Sequence, residues 1–242
     1  MGAFEDAAGL VQHAEQELPK IREAYEASLH AKTISQSLLI EIKNFFENLR
    51  SALDFVASGV FGRLGVSVKN RPPKIYFPYA TAGQTRAIFE QSGRIEVCIP
   101  GINKVRPDIV QLLLEMQRFG SRGYTWLPAF MELTNENKHQ RLTPQVRKET
   151  KQLRIAGNGA TISLGQGASI SIGSGASISI GGAVIPGGQS FDVDRPPRVE
   201  GGKAEVTTWV SFYFAANDQP VIPFLESALK GIREIVKELS AT

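Results

Sequence analysis

Cysteine and histidine are scarce in this chain of 242 residues, which contains one cysteine and three histidines. The cysteine, Cys98, cannot form an internal disulfide or a cysteine-based zinc site, and its isolation is typical of a reducing compartment. His13, His30 and His139 are too widely spaced to form a metal-binding motif, and the sequence has no H-E-x-x-H segment. We therefore expect no metal site and no cofactor.

The sequence also lacks a long apolar run and a strong net charge. No uncharged apolar stretch reaches the roughly 20 residues that a membrane span needs. The net charge of +3 is too small to drive nucleic-acid binding by itself, although it leaves room for a local basic patch. Glu5 and Asp6 lie where a signal peptide would carry a basic start. We expect a cytoplasmic protein with no membrane partner.

Apolar residues recurring at a spacing of three or four predict amphipathic helices over much of the chain. The first is expected to be interrupted or bent at Pro19, and the second to begin at Thr33 or Ser35. Glycines at 59, 62 and 65 are expected to end the second helix, and residues 70–93 are expected to form an irregular crossing. The helices are predicted at about 4–30, 33–61, 107–119, 126–143 and 222–239.

Charge disappears altogether between Ile155 and Phe191, where an eight-residue pattern repeats as ATISLGQG, ASISIGSG and ASISIGG. Each unit alternates apolar residues with Ser or Thr, which predicts short strands joined by glycine turns. An antiparallel meander is favoured over a solenoid, because eight residues are short for one rung. A further strand is predicted from Ala204 to Ala216, and its apolar residues on both faces suggest cover on both sides.

These elements predict an α+β fold in which a β-meander is inserted before the last helix of a four- to five-helix bundle. The predicted parts are a helical bundle at 1–150, the glycine-rich meander and long strand at 151–216, and a C-terminal helix at 217–242 that packs back on the bundle. Uncharged strands have edges that other strands can pair with. We therefore expect a homo-oligomer that forms through the meander, and a meander lying on its own helices is the alternative.

Two polar helical faces form the candidate functional site. One lies in the stretch ENLRSALD (47–54) and the other in WLPAFMELTNENKHQRL (126–142), where polar residues three and four apart share a helix face. We expect the two faces to meet inside the bundle. The candidate residues are Glu47, Asn48, Arg50, Asp54, Asn135, Lys138, His139 and Arg141.

The sequence leaves three interpretations of this cluster open, which are catalysis, a structural role and, last, ligand binding. In the catalytic one, His139 transfers a proton near neutral pH while Lys138 or Arg50 stabilises a pentacovalent phosphate. In the structural one, the cluster is a buried hydrogen-bonded network in which Arg50 pairs with Asp54, and His139 is satisfied by Asn48 or Glu47. The structural interpretation is favoured, because charged groups inside a bundle need partners.

Four cations follow the polar helix in the stretch QRLTPQVRKETKQLR and are candidates for nucleic-acid binding. They could guide RNA or DNA phosphates towards His139. The absence of interleaved aromatic residues favours a solvated connector instead. The four residues are Arg147, Lys148, Lys151 and Arg154.

The segments ENLRSALDFVA, YFPYA, EMQRF and LPAFMELTNENKHQRL resemble a widespread family of uncharacterised bacterial proteins. That family is similar in architecture to HEPN-type helical bundles, which include metal-independent ribonucleases of toxin and defence systems. The resemblance implies a HEPN-like bundle and places the polar candidates of both helices at the family's motif positions. The chain departs from the family's motifs at Phe55, Arg118, Asn137 and Gln140. It also lacks the catalytic HEPN signature, in which an arginine shortly precedes the histidine.

Two functions follow from these observations. The first is a non-enzymatic, oligomerising binding or scaffold protein with an RNA or protein partner, which the resemblance associates with phage-defence or mobile-element systems. The second is a metal-independent ribonuclease that uses His139 with Arg50 and Lys138. The missing arginine before His139 favours the first function.

Overall fold

The apolar stripes of the sequence form helices and the glycine-punctuated repeat forms antiparallel strands before the last helix, so the predicted α+β class is confirmed. The computed structural model describes residues 2–31, 34–66, 74–139 and 145–242, and of residues 30, 31 and 136–139 it describes the backbone alone. The chain divides into two compact units. The first comprises Met1–Val146 with Tyr213–Thr242, and the second comprises Arg147–Phe212.

The first unit is built on four long helices, of which the second contacts the other three. Ser35 caps the start of that second helix, because its hydroxyl accepts the N–H of Leu38. Ser35 is one of the two residues predicted for this role. The four long helices are α1 (Ala3–Ala31), α2 (Gln36–Arg63), α7 (Trp126–His139) and α8 (Val221–Ala241). The shorter helices between α2 and α7 are α3 (Arg86–Gln91), α4 (Arg94–Cys98), α5 (Ile102–Val105) and α6 (Pro107–Met116).

Several helix boundaries differ from the prediction. Helix α1 continues through Pro19, so the first of the two predicted alternatives, an interruption, is wrong, and packing against α2 and α8 offsets the hydrogen bond that proline removes. Gly59 and Gly62 lie inside α2, and Gly65, with φ at +63°, lies beyond its end. Helices α3, α4 and α5 were not predicted, because four to six residues are too few to show a helical period.

Phe46 lies at the centre of the core of the first unit. Its ring packs edge-on against Phe130 of α7 at 5.6 Å between centroids, and against Phe224 of α8 at 6.2 Å. Phe214 completes the group at 5.6 Å. Edge-to-face contacts of this kind add about 0.5–1.5 kcal/mol each to the burial of the rings. The cluster therefore joins α2, α7 and α8, and it brings the end of the long strand into the helical unit.

The strands pair in three antiparallel groups rather than repeat against repeat. They are β1 (Gln145–Ala156), β2 (Thr161–Gly165), β3 (Ile170–Ser171), β4 (Ser177–Ile180), β5 (Ala183–Pro186), β6 (Ser190–Phe191) and β7 (Lys203–Phe214). In the three-stranded sheet the order is β2-β1-β7, while β3 pairs with β6 and β4 with β5. The six apolar positions of the repeat nevertheless converge on one core with Phe191.

The glycine-containing turns that follow the three repeats, here called the glycine joints (residues 165–168, 173–176 and 181–182), explain why successive repeats do not pair. In the first two joints the N–H of Ala168 or Ala176 donates to the carbonyl three residues earlier, and Gly167 and Gly175 have φ near +85° and +88°. That is the pattern of a type II turn, which splays the flanking strands. At the third joint two consecutive glycines have positive φ, as a type I′ hairpin requires, and β4 and β5 pair directly across it.

Strand β7 is exposed in its middle on both faces, so the predicted cover on both sides is wrong. Val206 is 40% exposed and Trp209, on the opposite face, is 49% exposed. Thr207 and Thr208 between them are exposed too. Near the end of the strand one face becomes buried, where Phe212 and Phe214 lie two residues apart, and Tyr213 between them is half-buried.

Candidate functional site

Arg50 and Asp54 form an ion pair on one face of α2. They are one helical turn apart, and Arg50 Nε lies 3.4 Å from Asp54 Oδ2. Arg50 is buried, at 9% exposure, and its Nη1 contacts the sulfur of Met131 on α7. A guanidinium buried to this extent needs a partner carboxylate, because an unpaired buried charge is strongly destabilising.

The other oxygen of Asp54 holds the extended segment YFPYA (residues 76–80). The N–H of Phe77 donates to Asp54 Oδ1 at 2.9 Å. The YFPYA segment belongs to neither a helix nor a strand, so its backbone groups need partners from side chains. The Asp54 carboxylate therefore pairs with the buried Arg50 guanidinium and also binds the backbone of the YFPYA segment.

Gln117 holds the far end of the YFPYA segment. Its side chain is fully buried, and its Oε1 accepts the N–H of Ala80 at 2.8 Å. Its Nε2 donates to the carbonyl of Leu113 at 2.9 Å and to that of Pro78 at 3.3 Å. The amide is thus hydrogen-bonded on both of its polar atoms, as a buried amide must be.

Tyr79, in the same segment, links α2 to α7. The Arg50 guanidinium carbon lies 5.6 Å from the centre of the Tyr79 ring, and that of Arg94 lies 5.9 Å away. Both distances are within cation–π range. Asn135 Nδ2 of α7 donates to the Tyr79 hydroxyl at 3.3 Å. The polar face of α2 therefore reaches α7 at Met131 directly and at Asn135 through Tyr79.

Lys138 and His139 follow Asn135 on α7 by three and four residues. The helix extends to His139, so the backbone places both positions on the helix face of Asn135. Their side chains lie outside the described part of the structure, as does the whole of Arg141. Their assigned roles therefore stay predictions.

Glu47 and Asn48 line a groove between α2 and α1. The groove has a volume of 320 Å³, and His13 and Glu17 line it from α1. Glu47 also pairs with Lys43, one turn earlier on α2, at 3.3 Å. Asn48 is thus placed beside His13, while Arg50 is placed beside Met131 and Tyr79.

An open cleft of 430 Å³ lies beside Tyr79. Glu132 and Asn135 line it from α7, and residues 81–83 line it from the loop that follows the YFPYA segment. Tyr79 and Asn135 are the members of the polar network that reach this cleft, whereas Arg50 and Asp54 do not line it. A small polar molecule would meet an amide, a phenol and a carboxylate there.

The four nucleic-acid candidates lie on strand β1, where neighbouring side chains point to opposite faces. Arg147 and Lys151 therefore share one face of the strand, and Lys148 and Arg154 share the other. Arg147 forms an ion pair with Glu149, and Lys151 Nζ lies 2.5 Å from Asp194 Oδ1. The four cations are thus divided between two faces, and two of them are neutralised by neighbouring carboxylates.

Two groups outside the polar network have shifted pKa values. Burial raises the pKa of the Cys98 thiol, which lies at the end of α4. Burial also raises the pKa of Tyr124 to about 12, and the Glu234 carboxylate, which accepts the phenol proton at 3.0 Å, adds to the rise. Both groups are therefore held neutral at physiological pH.

Gln117 and Tyr79 belong to this site but were not among the candidate residues. The sequence carries one signal for them, because an extended Pro-containing segment between helices must satisfy its backbone groups with side chains. That argument requires a buried amide near residues 76–80, yet it does not say which amide. Both residues lie within the segments YFPYA and EMQRF that resemble the bacterial family.

Comparison with known protein families, with curated proteins and with solved structures finds no match to this chain. Within the described ranges, no helix combines the length and the apolar content of a membrane span. The same residues contain no group of three His, Cys, Asp or Glu side chains placed to hold a metal ion.

Proposed function

We propose that this chain is a non-enzymatic binding protein that self-associates and serves as a scaffold. The observation that carries this proposal is that the Arg50 guanidinium is occupied by contacts within the chain. Its guanidinium is buried against Asp54, Met131 and the Tyr79 ring, so it is not free to meet a phosphate. In this proposal the Arg50–Asp54 pair serves to hold the fold, which is the role that the structural interpretation assigns to it.

The cleft beside Tyr79 supports a binding role. Its lining combines a phenol and an amide with the carboxylate of Glu132, and the Arg94 guanidinium lies on the same tyrosine ring. Few, fixed polar groups in a concave surface are typical of ligand sites. The resemblance to the bacterial family favours an RNA or protein partner in a phage-defence or mobile-element system.

A metal-independent ribonuclease is the second candidate, and one observation favours it. Position 139 lies four residues after Asn135 and eight after Met131, on the side of α7 that contacts the Arg50 network. In this function His139 would transfer the proton and Lys138 would stabilise the phosphate.

Two measurements on the full chain test the proposal. The protein is incubated with labelled RNA in the presence of EDTA, beside a His139→Ala variant, and its mass in solution is determined by light scattering. We expect intact RNA in both samples and a mass above the 26.4 kDa of one chain. Cleavage by the wild type that is lost in His139→Ala would establish the second candidate instead, and a monomeric mass at all concentrations would exclude self-association.

A further inference from the structure

We infer that the outer edge of β7 is the surface through which two copies of this chain pair, antiparallel, about Thr208. This inference rests on the self-association proposed above, and it moves the interface from the glycine repeat to the long strand. The interface would join two sheets into one continuous sheet with the order β2-β1-β7 followed by the same strands of the second copy in reverse.

Strand β7 has one neighbour in the described part of the sheet. It pairs with β1 on one side, and β7 ends the strand order on the other. An unpaired edge exposes a row of N–H and C=O groups to any strand that approaches it. Val206 and Trp209 are exposed on opposite faces of this edge strand, so a pairing strand would cover apolar surface on both.

The two open edges of the sheet differ in their protection. Strand β2 covers β1 only from Gln152 to Ala156, so the preceding part of β1 also has an edge without a strand among the described residues. That part carries four charges between Arg147 and Lys151, which is how soluble proteins discourage pairing. The stretch from Val206 to Val210 carries no charge, no glycine and no proline. The β7 edge is therefore open to pairing where the β1 edge is protected.

The sequence of β7 favours an identical strand as its partner. Residues 206–210 read V-T-T-W-V, so antiparallel pairing about Thr208 places Val206 opposite Val210 of the second copy. The charges of β7 are Lys203 and Glu205, near one end, and pairing about Thr208 places them opposite the uncharged residues 213 and 211 of the second copy. Such self-complementarity is what a two-fold symmetric interface needs. A nucleic acid, in contrast, would require cations along this edge.

Two variants that introduce charges of opposite sign into β7 test the interface directly. In the Val206→Lys/Thr208→Lys variant and in the Val206→Glu/Thr208→Glu variant, like charges would meet across the two-fold axis. We expect each variant alone to have the 26.4 kDa mass of one chain by light scattering, and an equimolar mixture to recover the wild-type mass of two chains. The matched control is Ser163→Lys/Ser179→Lys on the exposed hydroxyl face of the repeat, which should leave the wild-type mass unchanged.

A second measurement leaves the sequence of β7 unchanged. The chain has two tryptophans, and a Trp126→Phe variant leaves Trp209 as the sole tryptophan, which is excited selectively at wavelengths that tyrosine does not absorb. Pairing at β7 protects Trp209, so acrylamide quenching should weaken as the protein concentration rises through the monomer–dimer range.

The outcomes separate this inference from the proposed function. An oligomeric wild type whose mass survives both β7 variants, or whose Trp209 quenching does not change with concentration, would overturn the interface and leave self-association standing. Loss of the oligomer in the Ser163→Lys/Ser179→Lys control alone would return the interface to the repeat. A monomeric wild type at every concentration would overturn both.

Discussion

Asp54 accepts the N–H of Phe77 at 2.9 Å while its second oxygen faces the Arg50 guanidinium at 3.4 Å. The carboxylate thereby connects α2 to a segment that has no regular secondary structure. An acceptor of this kind is difficult to replace, because its removal leaves a buried cation and an N–H group without partners at once.

We predict that Asp54→Ala lowers the free energy of unfolding by about 2–4 kcal/mol. Urea denaturation at neutral pH measures the change. Glu90→Ala is the matched control, because Glu90 also pairs with an arginine one turn away, Arg86, but both side chains are largely exposed. The control should change stability by no more than about 0.5 kcal/mol. Equal effects of the two substitutions would show that the Arg50–Asp54 pair does not hold the fold.

The Gln117 amide should be equally sensitive. Gln117→Ala removes three hydrogen bonds and leaves a cavity, so we expect a loss of about 2–4 kcal/mol in urea denaturation. Gln117→Glu keeps the shape and the acceptor for Ala80 but cannot donate to the carbonyls of Leu113 and Pro78 when ionised. It should therefore lose most of the same stability at neutral pH. Gln111→Ala, at an exposed position of α6, the helix that ends directly before Gln117, is expected to be nearly neutral, and a neutral Gln117→Glu would contradict the proposed bonding.

The long helices were predictable from the sequence because each carries many apolar residues at one period. Helix α8, predicted at 222–239, is a clear case, since its apolar residues at helical spacing, among them Phe224, Leu225, Leu229, Ile232 and Val236, are buried. The helical spacing of Arg50 and Asp54 also predicted their pairing as one alternative. Local periodicity was sufficient for both.

Long-range pairing was not predictable in the same way. The repeat predicted strands, but nothing in three nearly identical units says that β3 pairs with β6 and β4 with β5. Gln117 bonds to residues 37 and 39 positions away, and no periodic pattern reports such a contact. The exposure of Trp209 had no sequence signal either, because alternating apolar residues on both faces normally indicate cover.

Tyr124 should make stability depend on alkaline pH. Its pKa is about 12 in the folded chain and 10.0 in the reference state, so the folded state binds the phenol proton more tightly. Its stabilising contribution is complete below pH 10 and is lost as the pH rises towards 12. The pKa difference sets an upper limit of about 2–3 kcal/mol, and the remaining 9% exposure of Tyr124 to solvent reduces it to about 1–2 kcal/mol.

The comparison of wild type with Tyr124→Phe isolates this effect. Tyr124→Phe cannot ionise, so the difference in unfolding free energy between the two proteins should shrink from neutral pH to pH 12. Thermal or urea unfolding across that range measures it. A constant difference would mean that the phenol bonded to Glu234 is not held neutral by the fold.

Gly231 of α8 lies against the indole of Trp126. A Cβ built at Gly231 would lie 2.3 Å from the ring, whereas one at Gly62 of α2 would meet nothing within 4 Å. We expect Gly231→Ala to cost about 1–3 kcal/mol, because the indole is also packed against Phe130 and must move. Gly62→Ala should be neutral or stabilising by up to about 1 kcal/mol through helix propensity. A stabilising Gly231→Ala would show that the α7–α8 contact is loose.

Gly175 and Gly173 in the second joint of the repeat offer a paired test of the turn. Gly175 has φ of +88°, and alanine at this position is strained by about 1–2 kcal/mol, whereas Gly173 has no positive φ and a Cβ there would meet nothing within 4 Å. We therefore expect Gly175→Ala to destabilise the second unit, and Gly173→Ala to be neutral or slightly stabilising. Hydrogen exchange of the repeat amides reports on that unit directly. Faster exchange in Gly173→Ala than in Gly175→Ala would reverse the assignment of the turn and, with it, the explanation of why successive repeats do not pair.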